Sequence, residues 1–272
     1  MRLFYMPFYP AVALIVSLSL AATAAGEPTA CAPVPPGLVA WWRLEANGAD
    51  ATGVHNGAVF GGSFIAAEVG NGFRPTGVGS LVQVPNSPAL NPTNFTIDFW
   101  IKLDALTPGN EPCFWKGDAG GAGISSPFGV LVWGTNDTSQ GKPFVLIGNG
   151  LTFQILDAAV TLSLGTFHHV AATASGTTLA IYVDGALSNT AVQTITPVPS
   201  TYPVQIGGLA LAQFGSRLEG TIDEVELHNQ AATPAQVLAI YEAGPTGKCP
   251  LTVPVETTTW GALKVYYRDS GR

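Results

Sequence analysis

The residues able to do chemistry are few in this sequence, and their spacing restricts what they can do. The segment Thr221–Leu227 reads T-I-D-E-V-E-L. Two carboxylates on one strand face can act as nucleophile and acid/base in glycoside cleavage. Under strict alternation Glu224 and Glu226 share a face while Asp223 points away, so the pair reads as a solvated face on an edge strand. His168 and His169 are adjacent, and adjacent strand side chains project to opposite sides, so they cannot both serve one metal or acid–base centre. Serine, histidine and aspartate all occur, but no nucleophile elbow frames a triad. Glu45, Asn47 and Asp50 stand close to His55-Asn56-Gly57. Such loop oxygens suit a hard cation, and equally serve solvation and turns. Trp115, Phe128, Trp133 and Tyr202 fall in loops or at strand edges where they could line a sugar-binding surface. Trp133, within FGVLVWG, reads better as core, and Trp41, Trp42 and Trp100 read as packing.

The elements that must position these residues are short strands. In Phe167–Gly185 the sequence FHHVAATASGTTLAIYVDG places Val170, Ala172 and Ala174 on one side of a first strand. Leu179, Ile181 and Val183 do the same on a second. Ser175-Gly176-Thr177 joins the two, and Asp184-Gly185 ends the second, which together predict a hairpin with one buried face. Further strands are predicted at Leu38–Leu44, Gly79–Val84, Phe95–Leu103, Phe114–Lys116, Phe128–Trp133, Phe144–Ile147, Leu151–Ile155, Val204–Gly207 and Arg217–Leu227. One helix is expected: Thr233 can cap it, Pro234 opens it, Gln236 completes a capping box, and Gly244-Pro245 ends it. Its apolar stripe is Val237, Leu238, Ile240 and Tyr241. Frequent turn signals between short strands predict a sandwich or jelly roll.

The bulk composition agrees. Of 272 residues only 11% are charged, while 32 are Gly and 21 are Pro. A net charge of −7 without a basic run argues against nucleic acid, whose phosphates require clustered Lys and Arg. The start carries Arg2, the apolar run Ala11–Leu20 and the small-x-small site Ala22-Thr23-Ala24. This reads as a signal peptide over residues 1–25, and no later segment is long and apolar enough to hold the chain in a membrane. A secreted or cell-surface protein is expected. Residues 26–36 read as a Pro-rich linker, 37–248 as the domain and 249–272 as a tail. Export permits disulfides. Cys31 lies before the first strand and Cys249 after the helix, and a sandwich whose end strands are neighbours would join them. Cys113 is left as a free thiol or an intermolecular partner.

Four blocks in order resemble one family: Gly37–Gly62 with its "HNG" turn, Gly79–Leu103, the Phe167–Gly185 hairpin with Phe167 where the family usually has Trp, and Leu218–Gly244. Together they look like a laminin-G-like domain of the concanavalin A-like lectin/glucanase superfamily. That resemblance implies an all-β fold, a two-sheet antiparallel jelly-roll sandwich with one short C-terminal helix and its termini close together. It also implies a structural calcium ion, with Asp50 and Asp223 as side-chain ligands, Glu45 as a further one and His55 giving its backbone carbonyl. Sugar-cleaving relatives carry E-x-D-x-E on one strand, which T-I-D-E-V-E-L lacks. The expected function is therefore a non-catalytic binding or adhesion module for carbohydrate or a surface glycoconjugate. A glycan-processing enzyme or a surface-display protein is the alternative.

Overall fold

The protein is described here by a computed structural model covering residues 30–118, 126–210 and 217–251. The expected signal peptide, most of the linker and residues 252–272 of the tail lie outside the described residues. Within them the chain forms β1 (Leu38–Trp42), β2 (Ala58–Phe60), β3 (Ser63–Ala66), β4 (Asn71–Arg74), β5 (Leu81–Val84), β6 (Phe95–Leu103), β7 (Glu111–Lys116) and β8 (Phe128–Val132). There follow β9 (Pro143–Gly148), β10 (Phe153–Asp157), β11 (Phe167–Ala174), β12 (Thr178–Val183), β13 (Ala186–Val192), β14 (Val204–Ile206), β15 (Gly220–His228) and helix α1 (Pro234–Ala243).

The strands build two antiparallel sheets. An eight-stranded sheet runs β13-β12-β11-β6-β15-β4-β3, with β1 also paired to β15. A seven-stranded sheet runs β10-β9-β8-β7-β14-β5-β2. Alternation assigns the faces. Phe95, Ile97, Phe99, Ile101 and Leu103 of β6 enter the core between the sheets, as do Val170, Ala172 and Ala174 of β11 and Leu179, Ile181 and Val183 of β12. They meet Phe114, Phe128, Val130, Val145 and Ile147 from the other sheet. The fold is the jelly-roll sandwich expected from the strand pattern.

Two features close the outer face of the eight-stranded sheet. Helix α1 has its capping box, with the Thr233 hydroxyl accepting from the Gln236 amide and the Gln236 side chain accepting from the Thr233 amide. It packs Val237 against Ala171, Ala180 and Tyr182. Beyond it the chain returns as a strap: Ala32 bridges to Lys248, and Cys31 is joined to Cys249 across 218 positions. Closing a loop of that size limits the unfolded chain by about 5 kcal/mol in the chain-entropy model. Cys113 is a buried free thiol. No helix among the described residues is long and apolar enough to cross a membrane.

Candidate functional site

The acids of T-I-D-E-V-E-L are not a solvated face. β15 is an interior strand, and the register against β6 shifts between Asp223 and Glu226, with Glu224 at φ +54°. This bulge adds a residue to β15 and resets the alternation. Asp223 then stands opposite Trp100, and Glu226 opposite Asp98, both on the outer face. Glu224 also turns outward, where its Oε2 accepts from the Trp41 indole at 2.9 Å. All three acids therefore share a side, and all three are buried.

Lys248 of the strap neutralises much of that charge. Its ammonium lies 3.4 Å from Asp98, 3.5 Å from Glu226 and 3.9 Å from Glu224. It also sits over the Trp41 ring at 5.6 Å. Burial pushes the Asp98 pKa up, but Lys248, His169 and His228 outweigh that and hold it well below the usual carboxylate range. Glu226 is raised by its burial, and Glu224 is pushed up to about 7 chiefly for the same reason. Glu226 also pairs with His228 at 2.8 Å. Asp98, Glu226 and His228 present ligand atoms all within 4.8 Å of one another, a buried cluster that could hold a metal ion. The Lys248 ammonium already supplies a cation there. The two-carboxylate, one-imidazole donor set is also far from the six to eight oxygens that calcium takes.

The residues expected to bind calcium are not gathered into one such group. Both Asp50 oxygens are taken: Oδ1 accepts from the Trp41 and Thr52 amides at 2.9 and 3.0 Å, and Oδ2 from the His55 amide at 2.9 Å and the Thr52 hydroxyl. Four donors fill the lone-pair directions of a carboxylate, so Asp50 closes its own loop. The His55 carbonyl accepts from the Trp42 indole. Asp223 differs. Its Oδ2 accepts from the Val69 amide at 2.9 Å, while Oδ1 is buried and finds no hydrogen-bond partner among the described residues. Burial, with Glu224 and Glu45 adding like charge, pushes its pKa up to about 8. Glu45 reaches the same turn, accepting from the Asn71 amide at 3.0 Å.

The two histidines do face apart. His169 is buried against Trp100, with ring centroids 5.3 Å apart. His168 lies on the other side, near the surface.

The outer face of the seven-stranded sheet carries neither the helix nor the strap. Cross-strand registers place Gln83, Gln205, Trp115, Gly129, Leu146 and Ile155 in one row across it. Gly129 is required there, because a Cβ would stand 2.4 Å from the Trp115 ring. Beside the row Trp133 stacks on Phe144 at 4.1 Å and donates from its indole to Asp157 at 2.8 Å. Asn110, Trp115, Leu131, Trp133, Phe144, Leu146, Phe153 and Ile155 line a groove of about 190 Å³, and Phe153 at its edge is 46% exposed. Trp133, expected in the core, thus belongs to this outer cluster. Of the expected ligand residues, Trp115 lines the groove but is itself buried. Phe128 is corrected to core, because its alternation phase turns it between the sheets. Tyr202 is 37% exposed, and its carbonyl accepts from the buried Lys116 ammonium. Phe144 and Phe153, which line the groove, were not singled out by the sequence. The alternating FQILD of β10, with Phe153 and Ile155 on one side, is the signal that could have found part of this face.

A family model described as the concanavalin A-like lectin/glucanases superfamily matches residues 76–238. No curated protein matches the sequence. Solved structures with a similar fold include a Trypanosoma rangeli sialidase in complex with 2,3-difluorosialic acid, at TM-score 0.59 and 21% identity over 79% of this chain. Domain 4 of AbnA, a GH43 extracellular arabinanase from Geobacillus stearothermophilus, in complex with arabinotriose, aligns at TM-score 0.58 and 16% identity over 74% of this chain and 96% of its own. The binding domain of Paraclostridial mosquitocidal protein 1 aligns at TM-score 0.60 and 13% identity, over 75% of this chain and 52% of its own. The alignment spans only 36% of the sialidase chain. At these identities the likeness concerns the fold.

Proposed function

The chain belongs to the concanavalin A-like lectin/glucanases superfamily, and we propose that it works as an exported, non-glycosidic binding module for carbohydrate or a surface glycoconjugate. The observation that carries this reading is the aromatic groove on the outer face of the seven-stranded sheet. Trp133, backed by the buried Phe144, and Phe153 offer ring surfaces to the C–H faces of a sugar, and Asn110 and Asp157 offer polar groups beside them. Aromatic rings beside a few placed polar groups are the usual make-up of a small-ligand site. The Cys31–Cys249 disulfide suits an oxidising compartment. The domain of the arabinanase crystallised with arabinotriose and the toxin binding domain lend support through shared architecture.

Sugar cleavage on β15 is disfavoured. Asp223, Glu224 and Glu226 share a face, but all three are buried: Glu224 and Glu226 lie beside the Lys248 ammonium, Glu224 accepts from the Trp41 indole, and Asp223 accepts from the Val69 amide of the 67–71 turn. A glycan array probed with the intact chain tests the reading. Saturable binding to one class of oligosaccharide is expected, and silence across the array contradicts it.

We further propose that Asp223 and Glu45 would hold a structural calcium ion at the 67–71 turn. The buried Asp223 Oδ1, without a hydrogen-bond partner among the described residues, supports this, and the four donors on Asp50 favour Asp223 over it. A bound cation would supply the positive charge that lets Asp223 ionise.

A further inference from the structure

Ser163, His168 and Asp184 meet at the edge of the sandwich in the order of a nucleophile, a base and an orienting acid. Ser163 Oγ lies 2.7 Å from His168 Nε2, and His168 Nδ1 lies 2.8 Å from Asp184 Oδ2. The backbone fixes which nitrogen carries the proton. The Ser163 amide points at Nε2 at 3.2 Å. An amide N–H can only donate, so Nε2 is an acceptor and the neutral ring carries its proton on Nδ1, toward Asp184. The same Nε2 lone pair faces the Ser163 hydroxyl at the shorter distance, so it can take that proton as a general base must once the longer contact from the amide yields.

Each member is held from behind. Asp184 accepts from the His169 amide through Oδ1 at 3.0 Å, and its own amide donates to the His169 carbonyl at 2.8 Å. It sits at φ +51° in the β12–β13 turn, a conformation that few residues other than glycine adopt. The next residue, Gly185, packs against α1 so closely that a Cβ would stand 2.9 Å from Leu238. Ser163 lies in the connection between β10 and β11. That connection is pinned on one side by the Leu162 amide on the Gly141 carbonyl at 2.9 Å, and on the other by the Gly165 amide on the Leu103 carbonyl at 2.7 Å. Ser163 and its neighbour Leu164 are exposed, so an ester in solution can reach the hydroxyl.

We propose that Ser163 is a nucleophile for acyl transfer, with His168 as its base and Asp184 as the residue that positions His168. The hydroxyl oxygen attacks the carbonyl carbon of an ester, and its proton passes to His168 Nε2. The bond from that carbon to the leaving oxygen breaks, His168 returns the proton to that oxygen, and an alcohol departs. Water then attacks the Ser163 ester by the same route and releases the carboxylic acid. The Ser163 amide is committed to His168, so it does not serve as an oxyanion donor. A missing donor of that kind costs about 10²–10³ in rate. The substrates are therefore activated esters of short acyl groups, and turnover is slow. This activity is separate from sugar binding and does not depend on it.

The test uses the intact, disulfide-bonded chain with a fluorophosphonate probe and, separately, an aryl acetate, followed by peptide mass mapping. Labelling and acetylation are expected at Ser163 and absent from that peptide in Ser163→Ala, whose exposed substitution leaves the melt unchanged. His168→Gln lowers the labelling rate by about 10²-fold or more. Asp184→Asn lowers it as well, and Asp184→Glu recovers part of the loss, which a merely structural turn residue does not require. An unlabelled wild type, or equal labelling of Ser163→Ala, overturns the proposal.

Discussion

The Lys248 ammonium lies 3.4 Å from the Asp98 carboxylate, 150 positions away in sequence, and both are buried on the outer face of the eight-stranded sheet. This pair holds the C-terminal strap down, together with the Cys31–Cys249 disulfide one residue further on. Removing one partner of a buried ion pair leaves the other charge uncompensated, at about 3–5 kcal/mol. Lys248→Met is therefore expected to lower the unfolding free energy measured by urea titration by that much, while Lys248→Arg loses less. A Lys248→Met midpoint equal to wild type contradicts the strap's role.

The same pair sets the acid limit of the fold. The pKa of Asp98 is depressed in the native state, so its contribution is fully present above the unfolded value of 3.8. It is lost as the pH falls through that value and below. Acid titration of ellipticity in wild type and Asp98→Asn checks this. Wild type should lose stability relative to the variant only below about pH 5.

Lys116 gives the opposite window. It is buried with neutral acceptors, the Asn86 amide oxygen at 2.7 Å and the Tyr202 carbonyl, and its burial lowers its pKa from 10.5 to about 8. Between those values the unfolded chain holds a proton that the native state has released, so this group's contribution to stability rises with pH. Below pH 8 its full penalty applies. The stability of Lys116→Met relative to wild type is therefore expected to fall from pH 8 to 10.5. Parallel pH curves for the two proteins contradict the assignment.

Calcium should act through Asp223 rather than Asp50. Added calcium is expected to raise the melting temperature of wild type, and chelator to reverse it. Asp223→Asn and Glu45→Gln abolish the response. Asp50→Asn keeps the response but melts lower, having replaced by an NH2 group one of the two oxygens that between them accept from four donors. A melt indifferent to calcium and chelator in wild type removes the ion from the account.

Much of the fold was readable where the signal was local. The β11–β12 hairpin follows from alternation and its turn, and α1 from Thr233, Pro234 and Gln236. The Cys31–Cys249 pairing followed once a sandwich was inferred. β2, β3 and β4 escaped notice because they are three or four residues long and separated by short glycine-containing turns. The acids of β15 were misplaced for one physical reason: period-two reasoning cannot see a bulge, and the bulge at Glu224 reverses the phase of everything before it. Lys248 carried no local sign of its partners. His168 was half legible. The hairpin register sets Val170 against Val183, which brings the His168-His169 pair beside Asp184. The position of Ser163 depends on a loop that no period describes.

The central claim is that the aromatic groove of the seven-stranded sheet binds sugar. Isothermal titration of an array-positive oligosaccharide into wild type, Phe153→Ala and Trp133→Ala tests it most directly. Aromatic anchors at such sites carry on the order of 2 kcal/mol or more, so each variant should bind at least tenfold more weakly while melting cooperatively. Undiminished affinity in both variants would place the binding surface elsewhere and contradict the account.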